Sequence, residues 1–409
     1  MTKDVFILGG YQTDFSRNFA REGKSIYDLF AEAVNGGLAA SNLDAGDIEV
    51  AHVGNFVGEM FTGQGMLGGF FGHVHPSLAG IPASRHEGAC ASGSLAILAA
   101  MADIESERYD LACVTGIEFM RNVSGQIAGD NLGAAVFVGE EATDATYIWP
   151  AMFSDVAEAY HQRHGLKREH LAEIAKSNFS NARRNPNAQT RKWEMSDEHF
   201  LANDDLNPVV EGWMRRQDCS QITDGAATVF LASERRAQTY ADKHGILLES
   251  LPRIRGWGHT TAPMLLSRKL ADSAKDEYLL PWTRKAIVDA YARAGLSGPE
   301  ELDVVETHDC FTVNQYIAIE NFGITAPGEA WKAIEANWTV AGGKLPFNPS
   351  GGLMGGGHPV GATGVRMMLD AAKQVTDRAG DYQVGGARTA ATYNVGGSGT
   401  TNCAFVVGC

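Results

Sequence analysis

Long apolar runs are missing from this sequence. The segment Met1 to Gly10 carries one lysine and a short apolar run, Val5 to Leu8, too short for a secretory signal or a membrane span. Metal-type cysteine spacing is missing as well. Cys90, Cys113, Cys219, Cys310, Cys403 and Cys409 form no Cys-x-x-Cys pair, so no metal site is expected, and free thiols in a reducing cytoplasm are the simplest reading. Basic residues are scarce: 34 Lys and Arg against 49 Asp and Glu leave a formal net charge of −15. That balance argues against nucleic acid as a partner, and any phosphate-bearing ligand needs a local basic patch. Proline is sparse, 13 residues against 47 glycines. The glycines follow no period, which points to tight turns and close backbone approaches rather than low complexity. Val407-Gly408-Cys409 is not a peroxisomal tripeptide.

What is present is an ordinary globular composition, 44% apolar and 20% charged, over a length that suits two or more domains. Val5–Leu8 reads as a buried strand turning at Gly9-Gly10, Ser25–Ala40 as a helix, and Ile48–Phe56 and Tyr109–Gly116 as further buried strands. Between them, Gly88-Ala89-Cys90-Ala91-Ser92-Gly93 opens a run to Ile104 that is apolar on nearly every side. Such a run is a core helix rather than a surface one. Cys90 then stands at its first turn, where unpaired N–H groups and the helix dipole are expected to lower the thiol pKa.

Residues 119–213 change character and read as an insertion, with helices over Ser154–His164 and Arg168–Asn181. Its cations, among them Arg183, Arg184 and Arg191, are either a solvated face or a patch for a nucleotide phosphate. Met120, Trp149, Met152, Phe153 and Trp213 either line an acyl pocket or pack a subdomain. The layered pattern resumes at Thr223-Asp224-Gly225-Ala226.

The second half then repeats the first. Ala286–Gly295 answers the helix near Ala31, and Leu302–Val305 answers Ile48–Val50. His358-Pro359-Val360-Gly361-Ala362-Thr363-Gly364 takes the place that Cys90-Ala91-Ser92-Gly93 holds. Duplication of a whole domain predicts pseudo-twofold symmetry, with the two helix starts facing each other across an interface where ligand pockets concentrate. A nucleophilic Cys90 needs a base, and His358 is the partner this symmetry offers. The turn His308-Asp309-Cys310-Phe311 adds a second thiol able to move a proton.

These segments resemble the thiolase family over nearly the whole chain. Cys90-Ala91-Ser92-Gly93 is similar to the nucleophile motif. Gly357–Gly364, preceded by Asn348-Pro349-Ser350-Gly351-Gly352, is similar to the histidine motif, and Asp224-Gly225-Ala226-Ala227 is a third shared segment. Many thiolases carry Asn-Glu-Ala-Phe at the His308 turn and a second catalytic cysteine at the position of Asn394. Both departures resemble the sterol-carrier-protein type. The resemblance implies an α/β, five-layered αβαβα fold with two pseudo-symmetric mixed sheets and an inserted loop subdomain. It divides the chain into an N-terminal domain (1–118 and 214–265), a loop domain for lid and CoA binding (119–213) and a C-terminal domain (266–409).

It further implies CoA-dependent thiolysis or its reverse through an acyl-Cys90 intermediate. His358 is the implied base, Cys310 the acid/base, His308 the holder of a water, and the Cys90 and Gly396 backbone N–H groups, beside Asn394, the oxyanion donors. Arg183, Arg184, Arg191 and Ser350 are read as CoA contacts. Coenzyme A or acyl-CoA enters as substrate, with no tightly held cofactor. A homodimer or tetramer is expected, with the strand near Cys113 as dimer edge, and a small OB-fold companion accompanies some bacterial members. Two other readings stay open: acyl transfer to a non-CoA acceptor, and a non-catalytic CoA-binding subunit.

Overall fold

The computed structural model describes residues 3–409. Its strands are β1 (Val5–Gln12), β2 (Val50–Gly54), β3 (Ala83–His86), β4 (Leu111–Glu118), β5 (Val209–Glu211), β6 (Met214–Arg215), β7 (Gly225–Ser233), β8 (Arg253–Thr261), β9 (Val304–Thr307), β10 (Thr389–Gly396) and β11 (Thr401–Gly408). All but the β5–β6 hairpin join one mixed sheet in the order β3-β2-β4-β7-β1-β8-β11-β10-β9.

That order is a palindrome in topology. In the first half β2 runs parallel to β4, which pairs antiparallel with β7, which pairs antiparallel with β1. In the second, β9 runs parallel to β10, which pairs antiparallel with β11, which pairs antiparallel with β8. The two half-sheets meet through Val5↔Ile254 and Phe6↔Arg253, with the Ile7 N–H donating to the Pro252 carbonyl at 2.8 Å, so the predicted duplication appears as two sheets joined along one short seam.

Helices complete the layers. One, α1 (Ile26–Ser41), starts at the Ser25 cap, whose hydroxyl takes the Asp28 N–H, and buries Ile26, Leu29, Phe30, Ala33, Val34 and Leu38, a helical stripe that covers β1, β4 and β7. On the matching outer face of the second half, α5 (Pro281–Ala294) covers β8 and β11. Between the half-sheets lie α2 (Ser92–Glu105) and α7 (Thr363–Val375), in contact with each other. They approach through small residues: a Cβ on Gly93 would stand 2.8 Å from the Gly361 carbonyl oxygen, and one on Gly364 would strike Ser94. The insertion supplies α3 (Ile148–His164) and α4 (Arg168–Ala182), which pack on α6 (Thr312–Asn321) of the second half. Among the described residues no helix is long and apolar enough to cross a membrane.

Two expectations fail for physical reasons. Gly9-Gly10 does not end β1, which continues to Gln12 with a bulge between Ile7 and Gly9. Gly9 has φ +137°, and a Cβ on Gly10 would run into the Thr228 carbonyl, so these glycines allow close strand approach rather than a turn. The Cys113 strand, β4, is not an edge: it lies between β2 and β7 with both sides paired. The edges of the sheet are β3 and β9.

Candidate active site

Three turns converge where α2 and α7 begin. Cys90 sits in a 3₁₀ turn, Ala89–Ala91, that leads into α2. Ala89 is held at φ +50°, a left-handed conformation that an alanine adopts only when its surroundings impose it. His308 and Cys310 follow the end of β9, as Asn55 and Phe56 follow β2. The Asp309 carboxylate between them accepts N–H groups from Leu353 (2.6 Å) and Met354 (3.3 Å) and the amide of Asn178 (2.7 Å). This clamps the β9 turn to the glycine-rich segment that delivers His358. The His358 N–H is held in turn by the Thr223 hydroxyl at 2.9 Å. As a result a ligand atom from each of Cys90, His308 and His358 lies within 4.8 Å of the other two. The histidine rings meet edge to face, with centroids 5.1 Å apart.

The hydrogen bonds assign each histidine its tautomer. The Thr363 hydroxyl donates to the Pro359 carbonyl (3.1 Å) and so accepts from Nδ1 of His358 (2.7 Å). Nε2 of His358 is then a bare acceptor. For His308 the logic is reversed. Asn394 donates through Nδ2 to the Cys90 carbonyl (3.0 Å) and accepts through Oδ1 from Ser94 (2.8 Å), which fixes its amide orientation. The same Nδ2 faces His308 Nδ1 at 2.9 Å, and the Val395 N–H also points there at 3.4 Å. His308 Nδ1 accepts, so Nε2 carries the proton. Both Nε2 atoms are buried and without a partner among the described residues: one is a proton acceptor, the other a donor. That assignment argues against a metal cage, because the His308 lone pair is already taken and its other nitrogen is protonated.

Electrostatics keep the resting site neutral. Burial, followed by the neighbouring Glu118 carboxylate, pushes the Cys90 thiol up to about 12, against hydrogen bonds from its own N–H and that of Gly397. The lowered thiol pKa expected from the helix start is therefore overturned, since desolvation outweighs the helix end. Burial and the Arg366 guanidinium hold His358 down to about 3. Burial, His358 and Arg366 hold His308 well below the ordinary imidazole value. Arg366 is itself buried, paired with Glu306 and Asp370 at 3.0 Å each. Burial, Cys90 and Asp309 push Cys310 far above a normal thiol. A neutral thiol thus faces a neutral imidazole, so the thiolate forms only as its proton is taken.

Above these groups opens a cavity of about 310 Å³ whose lining includes Cys90, Cys310, His358 and Gly397. Its walls are mostly apolar, with Phe153 of α3 stacked on Phe311 at 4.5 Å. Met120, Trp149 and Phe153 line it. Met152 instead packs in the core, and Trp213 donates its indole N–H to Glu158 (2.8 Å) in a separate cleft.

The basic cluster does not reach this cavity. Arg191 is paired with both oxygens of Asp14 at 2.7 Å. Arg184 donates to Asn181 (2.7 Å) and Arg183 to the Trp193 carbonyl (3.4 Å), each beside a different depression. Ser350 is 1% exposed and donates to Glu306. None of the four lines this cavity: Arg191 and Ser350 are engaged within the protein, and Arg183 and Arg184 border other depressions. The charged side chain that does line the cavity is Arg216, exposed and without a hydrogen-bond or ion-pair partner among the described residues. Gly396 must lack a Cβ, because one would collide with the Gly88 carbonyl. Besides that of Cys90 itself, the backbone N–H that lowers the thiol is that of Gly397, one residue further on. Thr363 lies inside the histidine motif, so a search for a hydroxyl one helical turn after His358 would have found it. Arg366, Glu118 and Gly397 carry no such signal.

The family described as "Thiolase, N-terminal domain" matches residues 5–235, and "Thiolase C-terminal domain-like" matches 267–409. The acetyl-CoA acetyltransferase of Methanothermobacter thermautotrophicus is 30% identical over 401 residues, covering 98% of each chain. Sterol carrier protein 2 of Gallus gallus is 29% identical, covering 97% of this chain and 70% of that protein. Among solved structures the Ltp2-ChsH2(DUF35) aldolase superposes with a TM-score of 0.76 at 20% identity (100% of this chain, 98% of that one). Human mitochondrial 3-ketoacyl-CoA thiolase does so at 0.70 and 16% identity (100% and 99%). At such identities the structures speak for the fold alone. With both family domains matched in order along a duplicated sheet, the chain belongs to the thiolase family.

Proposed function

We propose that this protein is an acyltransferase that cleaves or forms a carbon–carbon bond on acyl-CoA substrates through a Cys90 acyl-enzyme. The observation that carries the reading is the grouping of Cys90, His308 and His358, one ligand atom of each within 4.8 Å of the others, at an apolar cavity that Cys90, Cys310 and His358 line. In the cleaving direction His358 takes the Cys90 proton and the sulfur attacks the keto carbon of a 3-ketoacyl-CoA. The Cα–Cβ bond then breaks, leaving an acyl thioester on Cys90 and the enolate of a shorter acyl-CoA. The Cys310 thiol gives that enolate its proton. Free CoA next loses its thiol proton to the site and takes the acyl group, releasing Cys90. The His308 N–H and the backbone N–H groups near Gly396 and Gly397 are fixed donors for the oxyanions, and one such donor is commonly worth about 3 kcal/mol.

Arg216, at the cavity lining, replaces the inserted arginines as the contact for a CoA phosphate. Residues 119–213 form a loop domain inserted into the N-terminal thiolase domain, which supplies α3 as a cavity wall. A dimer or tetramer follows by kinship, with edge strand β3 rather than β4 available for pairing. The six cysteines are all unpaired, which supports a reducing compartment. A neighbour whose description names a DUF35 partner favours a second reading, in which this chain works beside a small companion.

Mass spectrometry after incubation with acetyl-CoA tests the first step: an acetyl adduct on Cys90 is expected, and its absence favours a binding subunit. Mixing a 3-ketoacyl-CoA with CoA tests the whole reaction by the appearance of two shorter thioesters.

A further inference from the structure

Behind the cavity, the short helix Leu266–Asp272 turns one lysine inward. Lys269 is 3% exposed. Its ammonium donates to the Ser398 carbonyl (3.0 Å), the Ser398 hydroxyl (2.8 Å) and the Thr400 hydroxyl (2.9 Å), which uses all three of its protons. No carboxylate forms an ion pair with it among the described residues. A buried cation without a paired anion is expensive, and an apolar side chain of similar volume fills such a space at lower cost. Packing alone therefore does not account for it.

Its acceptors identify what it holds. Ser398 and Thr400 belong to the turn between β10 and β11, where Gly397 has φ +64° and Gly399 φ +87°. The Thr400 N–H closes that turn on the Gly396 carbonyl at 3.1 Å. Gly397 of the same turn lines the cavity together with Cys90, and its N–H counters the upward push on the thiol. Lys269 thus grips, from the protein interior, the segment that carries this N–H, and its charge has the sign that favours a thiolate.

We infer that Lys269 is a positioning residue for the nucleophile: it holds the Gly396–Thr400 turn so that the Gly397 N–H stays on the Cys90 sulfur as that sulfur becomes anionic. The inference rests on the acyl-enzyme reading for its consequence in turnover, though not for its test.

The charged groups facing this lysine are few. Glu141 accepts the Leu266 and Phe137 N–H groups. Arg163 of α3 donates to the Leu270 carbonyl and the Ser273 hydroxyl. Arg268 and Asp272 pair with each other on the lysine's own helix. Burial lowers Lys269 to about 8, with Glu141 opposing. As pH rises through that value the ammonium becomes a neutral amine, its bonds lose their charge assistance and its hold on the turn weakens.

The test is the rate at which iodoacetamide alkylates Cys90, read by mass spectrometry of the Cys90 peptide across a pH series. It needs no acyl-CoA, so its outcome is independent of whether the protein turns over a 3-ketoacyl-CoA. Lys269→Met is expected to slow alkylation near neutral pH about tenfold and to remove an inflection near pH 8, with Lys269→Arg intermediate. Thr400→Val, which deletes one acceptor, is expected to slow it about threefold. A folded Lys269→Met protein with the parental rate and pH profile overturns the inference. If that variant does not fold, an unchanged rate in Thr400→Val overturns it instead.

Discussion

Asn394 and His308 are joined by a hydrogen bond of 2.9 Å from the amide Nδ2 to the ring Nδ1, and the direction of that bond decides what His308 does. Because Asn394 must donate, the imidazole proton sits on Nε2. Asn394→Asp would present an acceptor instead and draw the proton to Nδ1, taking away the donor in the site. The expected result is a fall in kcat of about a hundredfold or more, with KM changed far less. Steady-state kinetics on the best 3-ketoacyl-CoA substrate would measure it; equal losses in both parameters would point to disrupted binding.

In the proposed mechanism Cys310 and Cys90 divide the reaction between them. In Cys310→Ala the nucleophile and its base are untouched, so acetyl-CoA should still label Cys90. Condensation and thiolysis, which need a proton at Cα, should slow by about 10²–10⁴-fold. Intact-mass labelling and a thioester assay on the same preparation separate the two steps. His358→Ala should abolish the labelling itself.

Acid lability follows from the two buried histidines. His358 is held down to about 3 and His308 is also lowered, against roughly 6.5 in an unfolded chain. A depressed imidazole binds fewer protons folded than unfolded over that interval. Its stabilising contribution is therefore complete above about pH 6.5 and is lost as the pH falls toward 3. Thermal midpoints should drop progressively below pH 6.5, and His358→Gln should flatten part of that slope. A parallel curve for the variant would show that other groups control it.

Two arginines should respond in opposite ways. Arg191 is paired with Asp14 and anchors the insertion to the loop after β1, so Arg191→Ala should lower the thermal midpoint and leave KM for CoA within about twofold. Arg216 has no side-chain partner among the described residues to lose. Arg216→Ala should leave stability within about 0.5 kcal/mol and raise KM for CoA severalfold, more strongly at low salt than at high salt.

The sequence by itself determined the elements whose cause is local or repeated. The apolar run after Cys90, the two matching glycine-rich helix starts and the His308 turn after a short strand marked out the duplicated α/β layers. They also marked Cys90, Cys310 and His358, which do line one cavity. Residue type and spacing carry this information because close helix approach demands glycine, and reactive groups are recognisable by their chemistry. Only the tertiary structure decided the rest. Whether an arginine is free or already paired depends on a partner far away in the chain, as with Arg191 and Asp14, 177 positions apart. Whether a glycine pair turns a strand or lets a neighbour in depends on what lies across it, as with Gly10 and Thr228. The protonation of the site was equally hidden. A helix start argues for a low thiol pKa, yet desolvation in the assembled core raises it, and burial is a property of the whole fold rather than of any stretch of it.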